Sequence, residues 1–176
     1  MTPDLERALR AAIRDVPDFP KPGILFKDIT PVLLDAALFR RVTEAMARPF
    51  AGEHVTHVVA IESRGFLFGG PVAQALSAGL VPVRKPGKLP HTRTRVEYSL
   101  EYGTDALEMH SDALREGDRV VVIDDVLATG GTARATCDLV QRHGATVVGC
   151  MFLIALSFLP GLSALDGRRV ESLVRY

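Results

Sequence analysis

The stretch VVVIDDVLATGGT, residues 120–132, decides the fold. Its four leading β-branched residues predict a buried strand, which ends in the adjacent acids Asp124 and Asp125. A turn of small and hydroxylated residues follows and opens a helix; it consists of Ala128, Thr129, Gly130, Gly131 and Thr132. Because ligands of an open α/β sheet bind beyond the carboxyl ends of its strands, we expect a binding site here.

The turn at residues 128–132 has the chemistry of a phosphate cradle. Its backbone N–H groups, the Thr129 and Thr132 hydroxyls and the dipole of the helix N-terminus suit a phosphate monoester. The spacing fits neither the P-loop nor the dinucleotide fingerprint, so ATP hydrolysis and NAD binding lose support. Asp124 and Asp125 point to opposite sides of an extended chain, where vicinal sugar hydroxyls or a hydrated cation would satisfy them.

Strands and helices alternate on both sides of this stretch. The predicted strands are residues 57–61, 80–84, 119–124 and 146–156, and the predicted helices between them are residues 66–76 and 132–143. This order predicts an α/β fold with a mostly parallel twisted sheet and helices on both faces. Alternating residues at 96–100 and 106–109, around Tyr102, Gly103 and Thr104, predict a hairpin.

The N-terminal segment is predicted to hold two helices and a loop. The first helix begins at Thr2, Pro3 and Asp4, and its apolar face contains Leu5, Leu9, Ala12, Ile13 and Val16. Prolines exclude a regular helix at residues 17–28, which we expect to form an ordered loop. A second helix begins at Asp35 and is closed by Pro49.

Composition bounds the classes of function. The 176 residues suit one domain, and 21 basic against 21 acidic residues argue against a nucleic-acid coat protein. No apolar run reaches the ~20 residues of a membrane span, and no signal peptide is evident, so we expect a cytoplasmic protein. Cys137 and Cys150 lack metal-ligand or redox spacing and are expected to be buried reduced thiols.

The lysines point to anion binding. Only four are present, and all lie in two segments rich in Pro and Gly: Lys21, Lys27, Lys85 and Lys88. The run at residues 84–95 holds five basic residues and no acid. Because this run contains Gly87 and Pro90 and precedes the hairpin, it is typical of a lid that closes over a polyanion.

Five motifs, in this order, resemble the purine phosphoribosyltransferase family over nearly the whole chain. They are DFPKPGILFKDI at residues 18–29, ESRGFLFG at 62–69, RKPGKLP at 84–90, YSLEYG at 98–103 and the stretch at 120–132. The first resembles the base-binding hood of members that act on adenine. The resemblance implies one domain over residues 1–176, with a helix and hood at 1–34, a core at 35–176 and a flexible hairpin loop.

The resemblance implies transfer of 5-phosphoribosyl from phosphoribosyl pyrophosphate to adenine, giving AMP and pyrophosphate. Glu101 is the implied catalytic residue, near the five-membered ring of the purine. The implied donor-binding residues are Arg64, Arg84, Lys88, Tyr102, Asp124, Asp125, Ala128, Thr129, Gly130, Gly131 and Thr132. Leu25, Phe26, Lys27 and Leu159 are the implied adenine-binding residues. Mg²⁺ is expected mainly on the pyrophosphate and water, and a homodimer without nucleic-acid or membrane partners is expected.

Two alternatives remain open at this stage. A transferase for 6-oxopurines needs a donor where adenine needs an acceptor, and the hood motif argues against it. A regulatory protein that senses phosphoribosyl pyrophosphate while binding RNA or DNA would need a basic arm. The first helix instead carries Asp4, Glu6 and Asp15 among its arginines. Lys27 stands where the family often has Arg, and Ala155 where it often has an acid, which puts adenine selectivity mildly in question.

Overall fold

The computed structural model describes residues 1–99 and 104–176. The chain divides into two compact units, Met1–Ala45 and Met46–Tyr176. This boundary lies inside a helix, eleven residues beyond the predicted end of the hood. The organisation into one domain with its core from residue 35 stays a prediction.

The first unit begins with the predicted helix. The Thr2 hydroxyl oxygen accepts a hydrogen bond from the Leu5 N–H at 3.4 Å, which caps α1 (Pro3–Ala12). Two further helices follow, α2 (Thr30–Leu34) and α3 (Ala36–Ala47), and α3 runs into the second unit. Asp35 caps the N-terminus of α3, where the sequence predicts the helix to begin. Its carboxylate accepts hydrogen bonds from the N–H groups of Ala37 and Leu38, each at 3.0 Å.

The expected loop at residues 17–28 is wrong in part. An antiparallel hairpin forms from β1 (Arg14–Pro17) and β2 (Leu25–Asp28), so Val16 pairs with Phe26 instead of extending the face of α1. Proline excludes a helix but is tolerated at a strand end, and Pro17 is the last residue of β1. The connection turns at Gly23, whose φ is +86° and whose N–H donates to the Asp18 carboxylate at 2.8 Å.

The second unit holds the sheet. After a 3₁₀ helix (Arg48–Phe50), its elements are β3 (His57–Ile61), α4 (Gly65–Ala75), β4 (Gly79–Val83), β5 (Arg93–Ser99), β6 (Thr104–His110), β7 (Arg119–Leu127), α5 (Gly131–Arg142), β8 (Thr146–Ala155), α6 (Gly161–Ala164) and β9 (Val170–Arg175). Five of the strands form a sheet in the order β4-β3-β7-β8-β9, and every pair is parallel. The predicted parallel sheet is confirmed, and β9 is an addition to it.

Helices cover both faces of this sheet, as predicted. Gly69 of α4 approaches Ala60 so closely that an added Cβ would lie 2.5 Å from the Ala60 Cβ. Cys137 of α5 belongs to the same buried cluster as Val59. Because Val59 and Ala60 are neighbours in β3, they point to opposite faces, and the two helices pack on opposite sides of the sheet.

Several strand ends differ from the sequence expectations, and β4 (Gly79–Val83) lies one residue earlier than predicted. β7 continues past the acids to Leu127, because Val126 and Leu127 keep pairing with Ile154 and Ala155 of β8. β8 ends one residue early, at Ala155. The hairpin β5–β6 is longer than predicted, and its pairing runs from Arg93 with His110 to Ser99 with Thr104.

The two thiols are buried and reduced, as expected. Cys137 Sγ lies 3.5 Å from Cys150 Sγ, and both side chains are inaccessible to solvent. None of the helices in the described parts of the chain is long and apolar enough to cross a membrane.

Candidate active site

The acid pair lies where the sheet opens. β3 pairs with β7 only as far as Ala60 with Ile123, so within residues 1–99 and 104–176 the β3 side of β7 has no strand partner from Asp124 onward. Asp125 is 4% exposed and Asp124 is half-buried. The Asp125 N–H donates to Asp124 Oδ1 at 2.9 Å. Two carboxylates are therefore held together at the carboxyl end of a central strand, as the sequence predicts.

The two acids differ in their partners. Burial, followed by the negative charge of Asp125, raises the pKa of the Asp124 carboxyl well above its usual range. Asp125 instead has a cation beside it, because Arg64 Nε lies 2.5 Å from its Oδ2. Arg64 occupies the turn between β3 and α4, after the cis peptide bond that joins Glu62 and Ser63. The structure thus brings together three predicted donor-binding residues.

The turn at residues 128–132 follows directly from β7 and leads into α5. Gly130 has a φ of +83°, a conformation that favours glycine, and it packs against Gly161 of α6. An added Cβ at Gly130 would lie 2.8 Å from the Gly161 carbonyl oxygen. The turn and Asp124 line a cavity of about 70 Å³ at the N-terminus of α5. Its size and its N–H groups suit one phosphate group.

The hairpin β5–β6 contacts this turn. Tyr98 places its hydroxyl 3.2 Å from Thr132 Oγ1 and donates to Asp105 Oδ2 at 3.3 Å. Asp105 in turn accepts from Lys85 Nζ at 3.0 Å. A larger cavity of about 710 Å³ is lined by Tyr98 and by three predicted site residues, Thr129, Gly131 and Leu159. The turn at residues 128–132 and Leu159 therefore border one open space.

Most basic side chains of the segment at residues 84–95 are already paired with acids. Four of its five basic residues form ion pairs with acids outside the run, and these pairs are Arg84 with Glu62, Lys85 with Asp105, Arg93 with Glu108 and Arg95 with Glu97. The sequence reading missed Glu62 and Glu108 as functional candidates. The position of Glu62 inside the ESRGFLFG motif was a signal for it, whereas nothing in the local sequence distinguishes Glu108.

The predicted base-binding residues lie in both units. In the first unit, Phe26 of β2 makes an edge contact with Phe19, with ring centroids 5.1 Å apart. Its neighbour Lys27 forms an ion pair with Asp15 at 2.5 Å, and Leu25 is exposed. Leu159, in the second unit, is half-buried between β8 and α6. Their binding of a base stays a prediction.

Two predicted residues, Glu101 and Tyr102, lie outside the described residues. Among residues 1–99 and 104–176, no group of three His, Cys, Asp or Glu side chains could hold a metal ion. Asp124 and Asp125 do supply adjacent carboxylate oxygens, the ligand type that Mg²⁺ prefers when it also binds phosphates and water. The expected magnesium therefore fits the acid pair as a partial ligand set.

A parallel sheet whose central strand carries paired acids before a phosphate-sized turn is typical of α/β proteins that bind phosphorylated ligands at the carboxyl ends of their strands. The sequence model of the phosphoribosyl transferase domain matches residues 33–157. The chain belongs to the phosphoribosyltransferase family, in its adenine phosphoribosyltransferase branch.

Relatives cover nearly the whole chain. Adenine phosphoribosyltransferase of Myxococcus xanthus is 61% identical over 168 residues, which span 96% of this chain and 91% of the relative. The crystal structure of the enzyme from Rhodothermus marinus is 53% identical, with a TM-score of 0.95 over 99% of this chain and 100% of that one. The Saccharomyces cerevisiae enzyme, complexed with an imino-altritol bisphosphate and adenine, is 38% identical, with a TM-score of 0.92 over 98% and 99%.

Proposed function

We propose that this protein transfers the 5-phosphoribosyl group of phosphoribosyl pyrophosphate to adenine, forming AMP and releasing pyrophosphate. The observation that carries the proposal is the acid pair Asp124–Asp125 directly before the turn at residues 128–132, with Arg64 2.5 Å from Asp125. A phosphate monoester, two vicinal hydroxyls and a pyrophosphate each have a complementary group here. The adenine bound to the Saccharomyces cerevisiae relative supports adenine as the acceptor.

Each part of the donor has a proposed partner. The turn at residues 128–132 binds the 5-phosphate through its N–H groups and the hydroxyls of Thr129 and Thr132. Asp124 and Asp125 accept hydrogen bonds from the two ribose hydroxyls. The proposed pyrophosphate-binding residues are Arg64, Arg84, Lys88 and Tyr102. Since leaving pyrophosphate gains negative charge while the ribose becomes cationic, fixed charges placed before the reaction supply most of the catalysis.

The base has its own proposed partners. Phe26 stacks on the purine ring, and stacking of a base on an aromatic side chain contributes about 1–3 kcal/mol. The backbone at Leu25 and Lys27 reads the edge of adenine, and Leu159 covers a ring face. Glu101 takes the proton from the five-membered ring or orients that ring. Arrival of the base excludes water from the reacting carbon.

Magnesium is the proposed cofactor. The pyrophosphate oxygens and water would hold most of its coordination positions, which suits an ion that keeps several waters and binds substrate phosphates, and Asp124 and Asp125 lie beside it on the ribose hydroxyls. Its charge would stabilise the leaving pyrophosphate. A positive ion beside the pair would also offset part of the effect of burial and of the Asp125 charge, which together raise the pKa of Asp124.

We also propose a homodimer and a cytoplasmic location. Both follow from the family assignment. Size-exclusion chromatography with light scattering distinguishes a mass near 38 kDa from the 19.1 kDa of one chain. A single-chain mass at micromolar concentration would contradict the dimer.

The test of the reaction is a product assay with a panel of bases. The protein is incubated with Mg²⁺ and phosphoribosyl pyrophosphate plus adenine, hypoxanthine or guanine, and nucleotides are separated by chromatography. We expect AMP from adenine with one pyrophosphate released per AMP. Absence of AMP, with IMP or GMP formed from the other bases, would establish a 6-oxopurine enzyme instead.

A further inference from the structure

Two carboxylates from separate elements hold the turn at residues 84–88, which carries Lys85 and Lys88 between β4 and β5. Glu62, at the end of β3, accepts the Lys85 N–H at 2.9 Å and Arg84 Nε at 3.1 Å through the same Oε2. Although desolvation raises the pKa of Glu62, these bonds outweigh it and leave the pKa below its usual value. Glu62 is therefore ionised, and both of its carboxylate oxygens accept hydrogen bonds from the first two residues of the turn.

Glu108 of β6 holds the other side of the turn. Its carboxylate is 3% exposed, accepts the Gly87 N–H at 3.0 Å and lies 3.1 Å from Arg93 Nε. A buried carboxylate needs such partners, because an unpaired buried charge is strongly unfavourable. The backbones of Glu108 and Arg84 also exchange two hydrogen bonds, at 2.7 and 2.9 Å. The turn is thus fixed to β6 by both main chain and side chain.

Arg84 closes the turn on itself. Its Nε and Nη2 donate to Glu62, and its Nη1 donates to the Lys88 carbonyl oxygen at 3.3 Å. The guanidinium also lies 5.8 Å from the centre of the Phe66 ring. Each guanidinium nitrogen therefore makes one bond that shapes the turn, which leaves two of the five N–H donors for the proposed contact with pyrophosphate. Glu62 acts on Lys88 through Arg84.

We propose that Glu62 and Glu108 are positioning residues, which hold the turn at residues 84–88 in the shape that presents its backbone and lysines to a pyrophosphate group. The proposal rests on the proposed function for the identity of the anion. Two negative charges beside an anion site would weaken binding through Coulomb repulsion. Glu62 and Glu108 therefore strengthen anion binding through the shape they impose on the turn, whereas their negative charges weaken it.

This opposition of signs makes the test sharp. Magnesium pyrophosphate is titrated calorimetrically into the wild type, Glu62→Gln and Glu108→Gln. Loss of charge-assisted bonds to the turn is expected to raise Kd about tenfold or more. Removal of a nearby negative charge without a positioning effect would lower Kd. Values within twofold of the wild type, or tighter binding, in both variants would overturn the proposal.

Glu53→Gln is the matched control. Glu53 accepts from Arg119 at 3.4 Å and from Arg169 at 3.0 Å, and among the described residues its bonds lead away from the turn. The substitution removes a paired carboxylate from the same unit. The Kd of this variant for magnesium pyrophosphate is therefore expected to stay within twofold of the wild-type value. A loss in Glu53→Gln equal to that in Glu62→Gln would show a general charge or stability effect and overturn the proposal.

Gly87→Ala tests the turn with both carboxylates intact, and it covers the case in which Glu108→Gln does not fold. Gly87 has a φ of +79° with no atom within 4 Å of an added Cβ, so the substitution strains only the turn. Gly117→Ala, at a φ of +88° and equally open, matches the strain elsewhere. We expect Gly87→Ala to weaken pyrophosphate binding and Gly117→Ala to leave it unchanged; equal affinities in the two would overturn the proposal.

Kinetics separate this proposal from the proposed function. In an active enzyme, Glu62→Gln is expected to raise KM for phosphoribosyl pyrophosphate about tenfold and to leave KM for adenine within twofold. A wild type that makes no AMP but loses pyrophosphate affinity in both carboxylate variants would overturn the proposed function alone. An active wild type whose variants bind pyrophosphate normally would overturn the positioning role alone.

Discussion

Arg64 Nε and Asp125 Oδ2 lie 2.5 Å apart, so the two groups proposed to bind the donor form an ion pair with each other. Arg64 comes from the turn after β3, and Asp125 comes from β7. In the proposed complex the ribose hydroxyls donate to the acid and the pyrophosphate accepts from the guanidinium, so groups of the donor replace both partners of this pair. The pair therefore links the turn after β3 to the carboxyl end of β7.

Arg64→Gln should weaken both stability and donor binding. Asp125 is 4% exposed, and loss of its cation leaves a buried charge less well compensated. Because Arg64 itself is half-exposed, we expect a loss of about 1–3 kcal/mol in the free energy of unfolding, measured by urea titration. Arg41→Gln breaks an exposed pair with Asp4 and should cost less than about 1 kcal/mol. Equal losses in the two variants would contradict the account.

Asp124→Asn should stabilise the donor-free protein while impairing turnover. Since burial and Asp125 raise the pKa of Asp124, its protonated form stabilises the fold, and that stability is lost as pH rises through the raised pKa. The melting temperature of the variant should match the wild type near pH 4 and exceed it increasingly toward pH 8. Each kcal/mol gained corresponds to about 2–4 °C in a chain of this size. A variant that melts lower at pH 8 would refute the burial argument.

Gly130→Ala tests the shape of the phosphate turn. The substitution imposes a left-handed backbone on a residue with a Cβ, at about 1–2 kcal/mol, and places that Cβ 2.7 Å from the Ala164 Cβ. We expect loss of stability beyond that of Gly117→Ala, which has the same backbone strain and open space. Affinity for ribose 5-phosphate, measured by calorimetry, should fall only in Gly130→Ala. A turn that tolerates the change would bind the 5-phosphate less closely than proposed.

Asp118 provides the opposite pH dependence to Asp124. Burial raises its pKa, but the Arg115 N–H at 2.9 Å and the Thr56 hydroxyl at 3.1 Å outweigh burial and lower it below 3.8. The ionised Asp118 therefore stabilises the fold above pH 3.8, and this contribution to the free energy of unfolding is lost as pH falls through the lowered pKa. Asp118→Asn should be less stable than the wild type by about 1–2 kcal/mol at pH 7. Urea midpoints should converge below pH 3.8; a constant difference down to pH 3 would contradict this.

Local sequence predicts the centre of this fold and much of the candidate site. The apolar run at residues 120–123, the acids and the turn at 128–132 lie in one short segment. The strand, the paired carboxylates and the turn can therefore be predicted from the residue types of that segment alone. The strand at residues 57–61 is predicted with the bounds that β3 has. Where a binding group and its scaffold are neighbours in the chain, periodicity and residue type are sufficient.

Long-range pairing is what the sequence could not predict. Glu62 and Arg84 are 22 residues apart, and Gly87 and Glu108 are 21 apart, so only the folded sheet brings them together. β9 carries Glu171 and Ser172 among its six residues, and these polar residues weaken its strand pattern. The hairpin β1–β2 could not be predicted from the three prolines at its centre. Proline shows that the segment is not helical, but it does not show whether the residues on either side pair as strands.

The most direct test of the donor site is a calorimetric titration of phosphoribosyl pyrophosphate with Mg²⁺ into the wild type and Asp125→Asn. The central claim is that the acid pair holds the ribose hydroxyls while the turn at residues 128–132 holds the 5-phosphate. We predict stoichiometric binding to the wild type and at least about tenfold weaker binding to the variant, since a charge-assisted hydrogen bond contributes about 1.5–3 kcal/mol. Unaltered affinity in Asp125→Asn would contradict the claim.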